Sequence, residues 1–221
     1  MVSVIIPAGG AGTRMGAAVR KQYLMLAGQP VLARTVQVFI DHPEVDEIVV
    51  AVPAGDLQEV VGMLSRQRGA KRVQVVEGGS DRQASVAAAL AAVAPDSATV
   101  LVHDAVRPLV APDVISAVLV VARTGAVSAA RPVQETIKVC VDEKVQETLD
   151  RSKLWAMQTP QGFPRALLER AHAAAAAGHD VRATDDCALV ERLGEPVHIV
   201  LGNTENIKLT TPADLALAQR L

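Results

Sequence analysis

The chain has 221 residues, 50% of them hydrophobic and only 2% aromatic, with a formal net charge of −2. This composition excludes a disordered chain, because disordered chains lack the apolar residues that form a core. It also argues against a nucleic acid polymer as a partner, since that role needs a basic face or many stacking aromatic side chains. Any anionic ligand is therefore expected to be small and locally bound.

No segment predicts export or insertion into a membrane. The start, Met1–Pro7, lacks a basic region and a long apolar run, so it does not predict a signal peptide. The longest strongly apolar stretch, Val114–Ala122, is too short to span a bilayer. The two cysteines, Cys140 and Cys187, suit neither a disulfide framework nor a metal cluster. We expect a soluble cytoplasmic protein with one domain over residues 1–221.

Short aliphatic runs alternate with stretches of helical periodicity along most of the chain. The predicted strands are Val2–Ile6, Glu47–Val52, Arg72–Val76, Thr99–His103, Ala126–Ala129 and Val197–Leu201. Helices are predicted between the first five of these strands, and later at Arg165–Ala177, after Thr184 and from Pro212. This alternation predicts a Rossmann-like three-layer α/β/α fold with a mainly parallel sheet. Ligands of such sheets bind beyond the carboxyl ends of the strands, which here are the loops after Ile6, Val76 and His103.

Residues 132–154 break this alternation. Thr136–Val141 and Lys144–Leu149 each alternate polar and apolar residues, and Asp142-Glu143 forms a turn between them. The pattern predicts an inserted β-hairpin arm. A lone hairpin is only marginally stable in water, so we expect the arm to pack on another surface, such as a second copy of the chain.

The loop after the first predicted strand, Pro7–Gly16, is the most informative stretch of the sequence. Its glycines let the main chain approach a ligand closely, and successive amide groups can hold phosphate oxygens. Arg14 and Lys21 add two cations, so the loop suits a triphosphate. A dinucleotide-binding fingerprint does not fit, because Met15 stands where its last glycine belongs, and no Walker A sequence is present. Two interpretations of the segment remain. It is either a glycine-rich turn with incidental charges or the loop of the nucleotide-sugar pyrophosphorylases.

Together with later segments, this loop resembles the 2-C-methyl-D-erythritol 4-phosphate cytidylyltransferases of isoprenoid precursor synthesis. Five motifs carry the resemblance, in order, along nearly the whole chain: Pro7–Gly16 with Lys21-Gln22-Tyr23, Gly78–Val86, Val102–Pro108, Leu154–Gln161 and Asn206–Thr210. Two positions depart from the family pattern. Alanine is more usual at Gly9, and some relatives carry aspartate at Ser80, which leaves the role of the Ser80 side chain open.

The resemblance implies a reaction in which an acceptor phosphate attacks the α-phosphorus of CTP and releases pyrophosphate. The second pKa of a phosphate monoester is about 6, so the attacking group is already anionic near neutrality and needs no general base. Catalysis then consists of bringing two anions together and stabilising a highly charged transition state. The resemblance assigns this catalytic role to Arg14 and Lys21, and assigns Mg²⁺ to Asp104.

The resemblance also implies which residues bind each substrate. CTP is expected to contact Pro7, Ala8, Gly9, Gly10, Gly12, Gly79, Arg82, Ser85 and Asp104, and the Ser85 hydroxyl and nearby main chain are expected to read cytosine. The polyol phosphate acceptor is assigned to Arg107 and Lys208. In this family the arm is exchanged between the subunits of a homodimer, so Thr136 and Arg151 are expected to reach the acceptor bound by the neighbouring subunit.

Several of these residues have simpler explanations when the resemblance is set aside. Asp104 could cap the next helix, Arg107 could form a surface ion pair, and Thr136 and Arg151 could be ordinary arm residues. Functional roles for Thr159 and Thr184 stay open. We expect Trp155 to pack in the core and His103 to end a strand without binding metal.

Other functions remain possible from the sequence. Ribitol-5-phosphate cytidylyltransferase is the nearest, because it shares the CTP machinery and differs in the acceptor pocket. A sugar-1-phosphate uridylyl- or thymidylyltransferase and a non-catalytic nucleotide sensor are more distant alternatives.

Overall fold

The computed structural model describes residues 1–9, 20–67, 69, 71–178 and 183–221. In chain order, its strands are β1 (Val2–Pro7), β2 (Met25–Leu26), β3 (Gln29–Pro30), β4 (Glu47–Val52), β5 (Arg72–Glu77), β6 (Thr99–Val102), β7 (Ala126–Pro132), β8 (Lys138–Val141), β9 (Lys144–Thr148), β10 (Trp155–Pro164) and β11 (Val197–Leu201). Its α-helices are α1 (Val31–Asp41), α2 (Leu57–Leu64), α3 (Arg82–Ala92), α4 (Pro112–Ala122), α5 (Arg165–Ala177), α6 (Asp186–Arg192) and α7 (Pro212–Ala218).

The central sheet has seven strands in the order β11-β7-β10-β6-β1-β4-β5. Every neighbouring pair is parallel except the two that involve β10, which runs antiparallel to β6 and β7. Successive residues of β1 point to opposite faces, so Val4 and Ile6 join one core cluster while Ile5 joins the other. Aliphatic side chains on both faces are what a covered parallel sheet requires. The prediction of a mainly parallel sheet is confirmed.

Helices cover both faces of this sheet. Side chains of α1, α2 and α4 pack on one face, and side chains of α3, α5 and α6 pack on the other. The predicted three-layer α/β/α arrangement is therefore confirmed. Asp185 caps α6, since its carboxylate accepts a hydrogen bond of 2.9 Å from the Ala188 amide.

The order of the strands creates a reversal in the middle of the sheet. The chain leaves β1 towards β4 and β5 at one edge, then returns through α3 to β6 on the other side of β1. Connections from β1 and β6 thus run in opposite directions, and the carboxyl ends of these two strands border a crevice. In open α/β sheets this is where ligands bind.

The predicted hairpin is present as β8 and β9, which pair antiparallel to each other in a separate sheet. Asp142 and Glu143 have φ angles of 47° and 61°, as a tight two-residue hairpin turn requires. Every residue of the two strands is exposed. We call residues 133–154 the arm.

Strand β10 is the main element that sequence periodicity did not predict. It contains Pro160 and Gly162, which normally indicate a break in a strand. A register shift between Met157 and Gln161 lets β10 include the proline. At Gly162 a β-carbon would lie 2.6 Å from the Ala122 β-carbon, so the close approach of α4 requires glycine there.

The expectation that Trp155 packs in the core is wrong. Trp155 is the first residue of β10, at the base of the arm, and 39% of it is exposed. Within the described residues, no helix is both long enough and apolar enough to cross a bilayer.

Candidate active site

A cleft opens at the crevice between the carboxyl ends of β1 and β6. Separate segments of the chain line it, namely Pro7, Ala8, Gly9, Lys21, Gln22, Ser80, Asp81, Arg82, Asp104, Ala105, Val106 and Lys208. Sequence reasoning assigned seven of these to the site: Pro7, Ala8, Gly9, Lys21, Arg82, Asp104 and Lys208. The fold therefore brings together residues that lie up to about two hundred positions apart, as expected at a switch point of strand order.

Asp104 is the centre of charge in the cleft. The Lys208 ammonium lies 3.0 Å from its Oδ2 atom, the Arg107 Nε lies 3.1 Å from the same oxygen, and the Arg82 Nε lies 3.7 Å from Oδ1. Burial by itself raises the pKa of the Asp104 carboxyl, but Lys208, Arg107 and Arg82 outweigh it and hold the pKa well below its usual range. Asp104 is therefore a carboxylate at any physiological pH.

Arg107 lies behind Asp104 and is 9% exposed, so its ion pair is buried and the surface alternative is wrong. Its Nη1 group donates a hydrogen bond of 2.7 Å to the Asn206 carbonyl oxygen. The Leu209 amide donates to the Val106 carbonyl oxygen at 2.9 Å, which joins the segment after β11 to the loop after β6. This pairing places Lys208 opposite Asp104.

Arg82 begins α3 and is held from behind by Asp186. Its Nη1 atom lies 2.7 Å from Asp186 Oδ2, and His172 Nε2 lies 2.9 Å from the other carboxylate oxygen. Burial raises the pKa of Asp186, but the hydrogen bond with His172 and the charge of Arg82 outweigh burial and lower it. Burial lowers the pKa of Arg82, and the carboxylates of Asp186 and Asp104 more than compensate. Arg82 thus stays charged, and its guanidinium contacts both the buried Asp186 carboxylate and the Asp104 carboxylate in the cleft.

Asp186→Asn is expected to raise the KM for CTP, the substrate that the sequence resemblance implies, about tenfold. One charge-assisted hydrogen bond contributes about 1.5–3 kcal/mol, and asparagine keeps only part of it. The change should alter kcat less than KM, since Arg82 keeps its charge and its contact with Asp104. Steady-state kinetics with varied CTP measure both constants.

Glu195→Gln provides the matched control. This change also removes the carboxylate that pairs with an arginine, since Glu195 Oε1 lies 2.8 Å from Arg170 Nη2. That pair lies on the exposed surface, away from the cleft. Its KM for CTP should equal that of the parent. An unchanged KM in Asp186→Asn would contradict the proposed hold on Arg82.

Lys21 is placed by its neighbours on a single 3-10 turn, Lys21–Tyr23. The Gln22 side chain is buried and donates a hydrogen bond of 2.6 Å to the Ala8 carbonyl oxygen. On the other side the Tyr23 hydroxyl donates to Asp56 Oδ2 at 2.7 Å, and Arg20 forms an ion pair with the same carboxylate. Burial and the nearby Asp56 carboxylate raise the pKa of Tyr23, so its hydroxyl remains a donor. Lys21 is thereby fixed between the main chain of the cleft and the start of α2.

In the loop between β5 and α3, the packing leaves no room for a side chain at Gly78 or Gly79. A β-carbon at Gly79 would lie 2.3 Å from the Ala84 β-carbon, and one at Gly78 would lie 2.8 Å from the Ser85 hydroxyl. Ser85 is buried, and its hydroxyl donates to the Asp81 carbonyl oxygen at 2.7 Å. A β-carbon at Gly9 would lie 3.3 Å from the same hydroxyl, so Ser85 stands directly against the main chain of the cleft. The predicted reading of cytosine by Ser85 and Gly79 stays a prediction.

Two predicted acceptor residues lie away from the cleft of their own chain. Thr136 and Arg151 are exposed on the arm, and the Arg151 guanidinium donates to the Gln134 carbonyl oxygen at 2.8 Å. Neither lines the cleft. Arg14, Gly10 and Gly12 lie outside the described residues.

Sequence reasoning assigned no role to Gln22, Asp56 or Asp186, although each holds a residue of the cleft or its neighbour. Gln22 stands in the motif Lys21-Gln22-Tyr23, which was a usable signal. Asp56 and Asp186 had none, because their partners Arg20 and Arg82 lie 36 and 104 positions away.

β6 ends at Val102, one residue before the predicted end, and His103, which follows it next to Asp104, is completely buried. Burial lowers the pKa of its imidazole to about 4, so the ring is neutral under physiological conditions. Neither of its ring nitrogens faces a cluster of acidic or sulfur ligands in the part of the chain that the structure describes. Both ring nitrogens have hydrogen-bond partners, the Arg107 carbonyl oxygen and the Thr159 hydroxyl, and the expectation that His103 binds no metal stays a prediction.

Three basic side chains around one carboxylate, at the switch point of a covered parallel sheet, define a site for a polyanionic nucleotide. They place the chain in the class of α/β nucleotidyltransferases.

Comparisons with known proteins identify the family. The model of the family described as 2-C-methyl-D-erythritol 4-phosphate cytidylyltransferase matches residues 2–221. A relative of that name from Symbiobacterium thermophilum is 49% identical over 222 residues, which span 100% of this chain and 92% of the relative. The chain belongs to the 2-C-methyl-D-erythritol 4-phosphate cytidylyltransferase family, and it is an enzyme.

Solved structures agree with this assignment. The enzyme of the same name from Thermus thermophilus has 35% identity and a TM-score of 0.80, covering 99% of this chain and 97% of its own. A 4-diphosphocytidyl-2C-methyl-D-erythritol synthase from Anaerococcus prevotii has 29% identity and a TM-score of 0.88, covering 100% of this chain and 95% of its own.

Proposed function

We propose that this chain transfers CMP from CTP to 2-C-methyl-D-erythritol 4-phosphate, giving 4-diphosphocytidyl-2-C-methyl-D-erythritol and pyrophosphate. The observation that carries the proposal is the convergence of Arg82, Arg107 and Lys208 on Asp104, in a cleft that Lys21 also lines. Two substrates that each carry phosphate need such a set of cations, because their mutual repulsion is the main obstacle to reaction.

The reaction follows from this arrangement of charge. A phosphate oxygen of the acceptor forms a bond to the α-phosphorus of CTP, and the bond from that phosphorus to the oxygen bridging to the β-phosphorus breaks. Pyrophosphate leaves with the electron pair. Lys21 and Arg82 face the triphosphate, and Lys208 faces the acceptor phosphate. Arg107 does not line the cleft; it holds the Asp104 carboxylate from behind and adds its charge from there. The chain supplies positioning and charge, and the attacking oxygen needs no base since it is already anionic.

Mg²⁺ fits the chemistry of this donor set. Asp104 gives a permanently charged carboxylate at the cleft, and Mg²⁺ is commonly bound by one or two carboxylates with substrate phosphates and water completing its shell. Asp104 would hold the ion together with CTP. When bound, Mg²⁺ neutralises phosphate charge and makes the α-phosphorus more electrophilic.

A homodimer with exchanged arms belongs to the same proposal. The arm exposes the apolar side chains Ile137, Val139, Val141 and Val145. At its base, Met157 of β10 and Leu201 of β11 both align with Ala130 of β7, so they share one face of the sheet, and both are exposed. Apolar surface of this kind favours contact with another chain. In such a dimer, Thr136 and Arg151 of each arm would act at the cleft of the other subunit.

The experiment is an assay of pyrophosphate release from CTP and Mg²⁺ with two acceptors in parallel. We expect turnover with 2-C-methyl-D-erythritol 4-phosphate and none with ribitol 5-phosphate. Turnover with ribitol 5-phosphate alone would support the assignment of the CTP site and refute the proposed acceptor. Binding of CTP without release of pyrophosphate under either condition would indicate a nucleotide sensor. The cytoplasmic location stays a prediction.

A further inference from the structure

The buried imidazole of His103 lies beside the cleft, and the reaction described above makes no use of it. Its Nε2 atom lies 3.0 Å from the Arg107 carbonyl oxygen, and its Nδ1 atom lies 3.1 Å from the Thr159 hydroxyl. The Thr159 hydroxyl oxygen in turn lies 3.0 Å from the main-chain nitrogen of Asp104. His103 and Thr159 thus contact the main chain at the two ends of the loop 104–107, at Asp104 and at Arg107.

Chemistry fixes the direction of every hydrogen bond in this chain of contacts. A carbonyl oxygen can only accept, so the His103 Nε2 atom carries the proton and donates to Arg107. The Nδ1 atom of a neutral ring must then accept, which makes the Thr159 hydroxyl its donor. The Asp104 amide can only donate, and the Thr159 oxygen accepts it. For a neutral ring each donor thus meets an acceptor, and the three distances place all three contacts within hydrogen-bond range.

Further contacts close the network around the loop. The Arg107 guanidinium donates through Nε to the Asp104 carboxylate and through Nη1 to the Asn206 carbonyl oxygen. The side-chain amide of Asn206 donates a hydrogen bond of 2.7 Å to the Thr159 carbonyl oxygen. Phe39 packs edge-on against the His103 ring, with 4.9 Å between the ring centroids. The loop is therefore held to β10 at several points.

The position of Thr159 depends on the irregularity of β10. Thr159 lies within the register shift between Met157 and Gln161, where a regular strand would direct its side chain by simple alternation. Bulges of this kind redirect single side chains and are frequent beside active sites. Here the hydroxyl is directed at the end of β6, where Asp104 follows.

We propose that His103 and Thr159 are positioning residues, which fix the main chain at Asp104 and Arg107 so that the Asp104 carboxylate, held by the Arg107 guanidinium, meets the substrates in one geometry. This inference rests on the proposed transfer of CMP. The Asp104 carboxylate lines the cleft, Arg107 holds it from behind, and the hydroxyl–imidazole pair acts only through these two side chains. A misplacement of about 1 Å can lower a rate by about 10²-fold, so loss of the pair should be visible in catalysis.

The first test compares three variants that differ by single groups. Thr159→Val removes the hydroxyl and keeps the shape, and it is expected to lower kcat by about 10- to 100-fold. Thr159→Ser keeps the hydroxyl and should stay within about threefold of the parent, since the hydrogen bonds can re-form. Thr99→Val makes the same chemical change in a buried residue at the amino end of β6, far from the cleft, and should leave kcat and both KM values unchanged.

A second test asks whether His103 and Thr159 act as one unit. His103→Gln keeps a donor for the Arg107 carbonyl but has no acceptor at the Nδ1 position. The double variant with Thr159→Val should be no slower than the slower single variant, because both changes interrupt the same chain of hydrogen bonds. Rates are taken per folded enzyme, with folded fractions from thermal melting.

The outcomes are distinct. An inactive parent would refute the proposed function and not the hydrogen-bond network. An active parent with Thr159→Val as fast as Thr99→Val would overturn the positioning role. Losses of kcat that multiply in the double variant would overturn it as well.

Discussion

Asp104→Asn is expected to lower kcat/KM for CMP transfer by about 10³-fold, comparable with the loss of one central charge-stabilising group in other enzymes. Asparagine has the same shape, but it lacks the charge that Arg82, Arg107 and Lys208 share. It also lacks the anionic oxygen that Mg²⁺ prefers. The three basic groups would then repel one another in a buried site, and the phosphate-binding geometry would be lost. Steady-state kinetics with CTP and the acceptor each varied measure the effect.

Glu44→Gln is the control for Asp104→Asn. Glu44 pairs with Arg123 at 2.9 Å on the surface, and both side chains are largely exposed, so its loss should change kcat/KM by less than about twofold. Retention of more than about a tenth of the parent activity by Asp104→Asn would contradict the central place given to this carboxylate.

A mixture of Lys21→Ala and Arg151→Ala proteins is expected to recover activity that neither protein has alone. Lys21 lines the cleft of its own chain, whereas Arg151 is placed on the exposed arm. If the arm serves the opposite subunit, one of the two sites in each mixed dimer contains both intact residues. Random exchange makes half of the dimers mixed, so the mixture should reach roughly a quarter of the parent activity, given a symmetric dimer.

The sharpest control for this experiment is a mixture of Lys21→Ala and Asp104→Asn proteins. Both residues line the same cleft of one chain, so every site in a mixed dimer keeps one defect and activity should not recover. Recovery in this control, or its absence in the first mixture once subunit exchange is demonstrated, would refute the exchanged arm.

The parts of the fold that local sequence determines were predictable. β1, β4 and β6 are aliphatic runs buried on both faces, and such runs predict a covered parallel sheet without further information. The arm could be recognised from the alternation of polar and apolar residues on both sides of Asp142-Glu143. β10 could not, because Pro160 and Gly162 argue against a strand, and only the neighbouring β6, β7 and α4 make that conformation favourable.

The candidate site was predictable where motifs mark it and not where distant residues complete it. Lys21, Arg82, Asp104 and Lys208 stand in motifs and do meet in the cleft. Asp186 holds Arg82 from 104 positions away, and no local pattern connects the two. Trp155 was misjudged for a related reason: its hydrophobicity is local, whereas its exposure depends on its place at the base of the arm.

The transfer of CMP is tested most directly by following the reaction of CTP labelled at its α-phosphorus with 2-C-methyl-D-erythritol 4-phosphate and Mg²⁺. We expect the label to pass into a cytidine diphosphate ester of the acceptor, with one pyrophosphate released for each ester formed. Label recovered as free CMP, or inorganic phosphate released in place of pyrophosphate, would contradict attack by the acceptor phosphate on the α-phosphorus of CTP.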